Sequence, residues 1–295
     1  MQRRLHPALT FLFAGLILLF TGGPVLLSFL GSLVPDRVML DPARGLLSGN
    51  FSLETYRYVF TGELPASYLA EGANRAMISD AARQVPQSLL NSGMIALSSM
   101  ALNLLLGVPA AFMFARYAFP GKKLSFMFLI LSPLVPAVAL ITPIYIMLQY
   151  MGLVGTHLGI ILVHTAKALP FTVLILSVFF RKMPAEIFEA AVLDHCNRVQ
   201  QLFRIAIPLA LPSIGATGLF AFMLSYSEYM FSMVLSGDAS TRPVSVVMAA
   251  LARNTDVSWS LLNTGIFIAI VPTLVLVVLV WRFVVEGLLS GAVKG

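Results

Sequence analysis

Six long, mostly apolar runs dominate this chain, at about 8–32, 88–114, 124–150, 158–180, 212–235 and 261–281. A helix needs roughly 20 such residues to cross a ~30 Å hydrocarbon layer. Each run is long enough, and a helix satisfies every backbone polar group within the segment, which lipid demands. Of the 295 residues, 58% are hydrophobic and 11% charged, against about 25% charged in a soluble domain. Too few charges remain to coat a water-facing surface. The expectation is an all-α, polytopic membrane protein with six transmembrane helices. The first run follows Arg3, Arg4 and His6 as a signal peptide would. It is too long for one and lacks a clear small-residue cleavage site, so a retained first helix is expected.

Several function classes fall away. The lone Cys196 excludes a disulfide framework and a cysteine metal cluster. His6, His157, His164 and His195 lie far apart, so no metal-ligand spacing is present. There is no clustered His/Asp/Ser set for a membrane-embedded enzyme. The 14 methionines are scattered through apolar runs, as gap-fillers are. The net charge of +6 bears on membrane orientation rather than on nucleic acid. With a cytoplasmic N-terminus, eleven bases and four acids lie on the cytoplasmic side, against seven and eight outside. The excess sits in short loops such as 115–123 and 181–211, so both termini are expected in the cytoplasm.

This gives three parts: 1–86, the first helix and a long outer segment; 87–283, a core of five helices with a polar loop at about 181–211; and 284–295, a cytoplasmic tail. The outer segment alternates acids and bases and carries Phe51, Tyr56, Tyr58 and Phe60. It reads either as a solvated connector or as a docking surface for an external partner.

The polar loop, EAAVLDHCNRVQQLFRIAIPLALP at Glu189–Pro212, has helix grammar. Pro184 suits a first helical position, and Glu186 and Glu189 suit the first two turns. Asp194 to Asn197 break that helix and cap a second one. The second run, Arg198 to Ile207, places Val199, Leu202, Phe203 and Ala206 at helical spacing and is expected to end at Pro208. On these residues alone, an interfacial helix resting on lipid headgroups is an equal reading.

Glu189, Ala190, Ala191, Asp194, Pro208, Leu209 and Pro212 resemble, in register, the EAA coupling loop of ABC importer permeases. LLNSG at 89–93, ARYAFPGKK at 115–123, GLVGTHLG at 152–159 and LPFTVLILSVFF at 169–180 are similar to other parts of that family. GLLSGAVKG at 287–295 is similar to the tail of maltose- and trehalose-type sugar permeases. The resemblance implies the type I importer permease fold and a subunit that translocates a sugar or sugar derivative by alternating access. It implies ATPase-coupling positions at Glu189, Ala190, Ala191, Asp194, His195 and Pro208. His195 and Cys196 depart from the family's usual Gly-Ala, and histidine tolerates the positive φ that glycine allows there.

The implied partners are a second related permease, a dimer of cytoplasmic ATPase subunits, a periplasmic or lipid-tethered solute-binding protein, and membrane lipid, with no nucleic acid. No G-x-x-x-x-G-K-[ST] loop is present. ATP and Mg are therefore expected on the ATPase, with no cofactor and no catalytic residue in this chain.

Two charges fall inside apolar runs. Lys167 lies about ten residues from the outer end of its run, or roughly 15 Å, near mid-membrane. A lysine there costs roughly 2.5–3.5 kcal/mol, so it should face a partner or a cavity. His164 shares its helix face. Glu228 lies at similar depth, in SYSEYMF, where the family resembled tends to have Trp-Asn-Glu-Phe. Three readings stand: Lys167 neutralises Glu228, it meets a polar or anionic substrate, or it faces a water-filled gap. The substrate-path candidates are Lys167, His164, Tyr226, Ser227, Glu228 and Tyr229. A proton-coupled secondary transporter using Lys167 and Glu228 is the alternative from another class, although it has no use for an ATPase-docking loop.

Overall fold

A computed structural model describes residues 7–39, 51–64, 80–253 and 258–292. Arg3, Arg4, His6, Lys294 and much of the outer segment lie outside the described residues. All regular structure among the described residues is helical: α1 Pro7–Ser32, α2 Glu54–Thr61, α3 Val85–Arg116, α4 Lys122–Leu131, α5 Ala137–Tyr150, α6 His157–Lys182, α7 Ala185–Leu193, α8 Arg198–Tyr226, α9 Met230–Leu235, α10 Val244–Arg253 and α11 Trp259–Ala292. Single turns lie at Asp36–Met39 and Asp80–Arg83. Five helices are long and apolar enough to cross a membrane, or six if the bent pair α4–α5 forms one span.

The chain divides into two compact units, 1–86 with 247–271 and 87–246 with 272–295. In the first, the Thr264 hydroxyl meets the Thr55 hydroxyl at 2.9 Å, and Thr55 donates to the Ser32 carbonyl at 3.1 Å. The Asp36 carboxylate accepts the N–H groups of Trp259 (3.0 Å) and Ser260 (2.8 Å), capping the start of α11. The Tyr58 phenol is buried, and burial together with the Asp80 charge raises its pKa. The apolar window of α1 is not buried at all, as expected of a lipid-facing helix.

The second unit is built on α3, α6 and α8. Small and polar residues let these helices approach closely and bond across the contact, the usual substitute for a hydrophobic drive in lipid. A Cβ on Gly107 of α3 would lie 2.5 Å from the Thr172 methyl of α6. Beside it, Asn103 donates to the Ser99 carbonyl at 3.0 Å, within its own helix, and to the Thr165 carbonyl of α6 at 3.4 Å. A core at the loop end gathers Phe112, Phe180, Phe188, Leu202 and Ala206. A second core, with Ile95, Leu148, Ile160, Phe231 and Leu235, gathers α3, α5, α6 and α9 at the opposite end.

Three sequence expectations need correction. The run 124–150, in which Pro133, Pro136 and Pro143 are expected only to kink a helix, is broken into two. Its two halves are bent by 105°, with Ser132–Leu134 as a 3-10 turn and Pro136 starting α5. Val135 is extended (φ −70°, ψ 123°), the conformation that a following proline imposes. The second run of the polar loop does not end at Pro208. The helix is continuous from Arg198 to Tyr226, with a π-helical stretch at Gln201–Ala206 in which the Ile207 N–H reaches back to the Leu202 carbonyl. That wider turn just before Pro208 accommodates a residue that lacks an N–H and crowds the preceding turn. Finally, 212–235 is two helices. α8 stops at Tyr226 and α9 restarts at Met230.

Candidate functional site

Two groups of candidate residues lie in the second unit. The first is the polar loop. Pro184 sits at the N-cap rather than inside α7, with φ −55°. α7 turns Phe188 and Ala191 inward and Glu189 and Ala190 outward. At its end the Cys196 N–H bonds the Ala191 carbonyl at 2.8 Å and the His195 N–H bonds the Val192 carbonyl at 3.0 Å. His195 has φ 57°. This pair of bonds around a left-handed residue is a Schellman motif, in which the residue at His195's place is most often glycine. Asn197 then opens α8 with a capping box: its side chain accepts the Gln200 N–H at 2.9 Å, and the Gln200 side chain accepts the Asn197 N–H at 2.8 Å. Asp194 and His195 are exposed, and so is Pro208 on the far side of the π-helical turn.

The loop is braced by residues that sequence reasoning quoted but gave no role. The Arg116 guanidinium stacks over Phe188 at 4.2 Å and donates to the Met183 carbonyl. The Tyr117 hydroxyl donates to the Gln201 side-chain oxygen at 2.9 Å, and the Gln201 amide donates to the Cys196 carbonyl at 3.1 Å. Arg198 covers the Tyr117 ring at 4.8 Å. Burial raises the pKa of the Tyr117 phenol, keeping it a proton donor, while Arg198 and Arg116 act in the opposite direction. The ends of α3, α7 and α8 are thus tied into one body. The available signal was the Arg-Tyr pair closing a long apolar run.

The second group is the buried charge cluster. Glu228 occupies the break between α8 and α9, with only 3% of its side chain exposed. Its Oε2 accepts the N–H groups of Phe231 and Ser232, both at 3.1 Å. A helix break at membrane depth leaves such donors without partners, and Glu228 supplies the acceptor. Its Oε1 lies 3.2 Å from Lys167 Nζ, and its Oε2 lies 3.4 Å from His164 Nε2. His164 is locked from both sides, 2.8 Å from the Ser225 hydroxyl and 3.1 Å from the Ser232 hydroxyl. Lys167 also lies 5.7 Å from the centre of the Phe231 ring. Its side chain is 43% exposed.

The other candidates make further contacts. Tyr226 stacks on Phe222 at 5.5 Å and lines, with Ser227, Phe220, Met223 and Thr273, an apolar cavity of about 270 Å3. The Ser227 hydroxyl is turned back to the Met223 carbonyl at 2.8 Å, and the Tyr229 hydroxyl meets the Met233 sulfur at 2.9 Å. No group of three or more metal-ligating side chains occurs among the described residues.

Comparison with known proteins fits this geometry. The diacetylchitobiose uptake system permease protein NgcG of Streptomyces coelicolor is 30% identical over 207 residues, 70% of this chain and 68% of that protein. The trehalose transport system permease protein SugB of Mycobacterium tuberculosis is 29% identical over 274 residues, 92% of each chain. In fold, the chain is similar to a chain of a bacterial ABC transporter involved in import of the acidic polysaccharide alginate. There the TM-score is 0.73 at 17% identity, over 94% of this chain and 95% of that one. Residues 103–288, which include both site groups, match the sequence model of one family, and on that match this chain belongs to the binding-protein-dependent transport system inner membrane components.

Proposed function

We propose that this chain is one of two related permease subunits of an ATP-driven importer for a sugar or sugar derivative. The observation that carries the proposal is the surface helix α7. It leaves Glu189 and Ala190 facing out and exposes apolar Val192 (60%) and Leu193 (80%) beside a rigid turn. We read this exposed apolar tip next to an acid as a docking element, where small Ala190 lets a partner's surface approach closely. The partner is a cytoplasmic ATPase dimer that binds ATP and Mg. Its closure pulls α7, and the brace through Arg116, Tyr117 and Gln201 passes the motion to α3 and α8. In this reading both termini are cytoplasmic, and a solute-binding protein delivers substrate from the other side. The sugar class rests on relatives whose own names refer to trehalose and diacetylchitobiose.

Within the path, Glu228 acts as a structural anchor, and Lys167, half open beside it, is the side chain placed to meet a polar or anionic group. The secondary-transporter alternative finds no support, since the family is one of binding-protein-dependent systems. The test is ATP hydrolysis and uptake by the reconstituted complex with its binding protein, across neutral and acidic sugars. One ligand should stimulate hydrolysis, and Glu189→Lys should leave hydrolysis running without uptake. Proton-driven uptake by this chain alone, or normal uptake in Glu189→Lys, overturns the proposal.

A further inference from the structure

A cavity of about 610 Å3 opens where α4 begins and α6 ends, at the edge of the polar loop, and none of the candidate coupling or path residues lines it. Lys122, Lys123 and Arg181 line it together with Phe119, Leu124 and Phe126, and no acid is among its lining residues. The cations are not loosely arranged. Lys122 Nζ donates to the Tyr117 carbonyl at 2.8 Å, and the Arg181 guanidinium lies 5.3 Å from the Phe126 ring centre. Phe126 and Phe119 both pack on Phe114, at 5.5 Å and 5.4 Å, which makes an aromatic wall. Arg181 stands in the last turn of a 26-residue apolar helix, and Lys122 and Lys123 open the apolar pair that precedes it in the chain. All three charges therefore lie where spans leave the hydrocarbon. Directly beyond them α4 turns Leu124, Met127 and Phe128 outward, each about half exposed or more.

A soluble protein facing water has no use for this arrangement, in which three cations sit over an apolar floor that continues into an exposed apolar helix. It fits a ligand with an anionic head and hydrocarbon tails. Basic pockets between transmembrane helices at the level of lipid phosphates hold anionic headgroups in this way, and the arginine–aromatic stack holds its guanidinium in place. We propose that the pocket of Lys122, Lys123 and Arg181 binds the headgroup of an anionic phospholipid, with the acyl chains running along the outer face of α4. The occupant is a lipid rather than free phosphate, because Phe119, Leu124 and Phe126 give a soluble anion nothing to bind.

The test uses the purified complex in detergent, titrated with short-chain phosphatidylglycerol or phosphatidylcholine, with retained lipid read by native mass spectrometry. Phosphatidylglycerol should be retained in preference to phosphatidylcholine. A surface cation adds roughly five-fold to affinity for anionic lipid, so Lys123→Gln with Arg181→Gln should weaken retention about 25-fold. Lys123→Arg with Arg181→Lys should keep it, which separates loss of charge from loss of fold. Equal retention of both lipids, or unchanged phosphatidylglycerol retention in the double glutamine variant, overturns the proposal. Displacement of phosphatidylglycerol by inorganic phosphate at matched concentration makes this a free-anion site and overturns it as well. Loss of the ATPase subunits from the double glutamine variant, with lipid retention intact, reassigns the surface to a protein interface.

Discussion

The charge cluster predicts a lopsided response to mutation. In Glu228→Ala, the Phe231 and Ser232 N–H groups lose their carboxylate acceptor, and His164 and Lys167 lose their anion. An unsatisfied buried donor costs about 1–3 kcal/mol, and two are left here, whereas the Lys167 charge left behind is 43% exposed and can be solvated. The two donors set the scale, so a loss of about 4 kcal/mol is expected. Lys167→Met removes a charge whose side chain is 43% exposed. The carboxylate keeps its two backbone donors and His164, so the loss should be nearer 1 kcal/mol, the scale of a partly solvated pair. The double variant should be no worse than Glu228→Ala, because it also removes the lysine charge left without its anion. The assay is apparent melting temperature of the purified complex, followed by fluorescence-detected gel filtration. Glu228→Ala should fall far below wild type, Lys167→Met should fall slightly, and Lys167→Met should still reduce ligand-stimulated uptake. Equal losses in the two single variants, or a larger loss in Lys167→Met, refute the assignment of Glu228 as the anchor of the helix break.

Other predictions follow from single contacts. His195→Gly removes left-handed strain worth about 1 kcal/mol and should raise the melting temperature while keeping transport. His195→Val, with a β-branched residue at φ 57°, should lower it. Tyr117→Phe deletes one partly buried hydrogen bond to Gln201 and should cost about 1 kcal/mol; if coupling runs through this brace, uptake per ATP hydrolysed falls further than stability does. Gly159→Ala would place a methyl 2.3 Å from the Leu153 carbonyl oxygen, a backbone atom unable to swing aside. Its overpacking cost should be about 1–3 kcal/mol, visible as reduced yield of folded complex.

Much of this protein is written locally in its sequence. Long apolar runs make spans because lipid leaves a backbone few alternatives, so α1, α3 and α6 fall close to where hydropathy puts them, and α11 starts there but runs on to Ala292. The end of α7 is local as well. Asp194 to Asn197 read as a break and a cap, and the Schellman turn and capping box lie there. Pro136 was legible as a kink in the sequence, but neither the size of its bend nor the passage of α8 through Pro208 was. A proline marks a weak point, and neighbouring packing decides whether the chain breaks there or widens by a π turn. Nor did the sequence choose among the readings of Lys167. Residues 164, 167 and 228 share one depth in any helical reading, but only the packing of α6 against α8 and the restart at Met230 brings Lys167 Nζ within 3.2 Å of Glu228. Whether a segment is apolar and long enough to span is a property of segment and solvent, which one sequence reports by itself. The pairing of two charges 61 residues apart depends on how helices rotate against each other, and only the tertiary structure decides that.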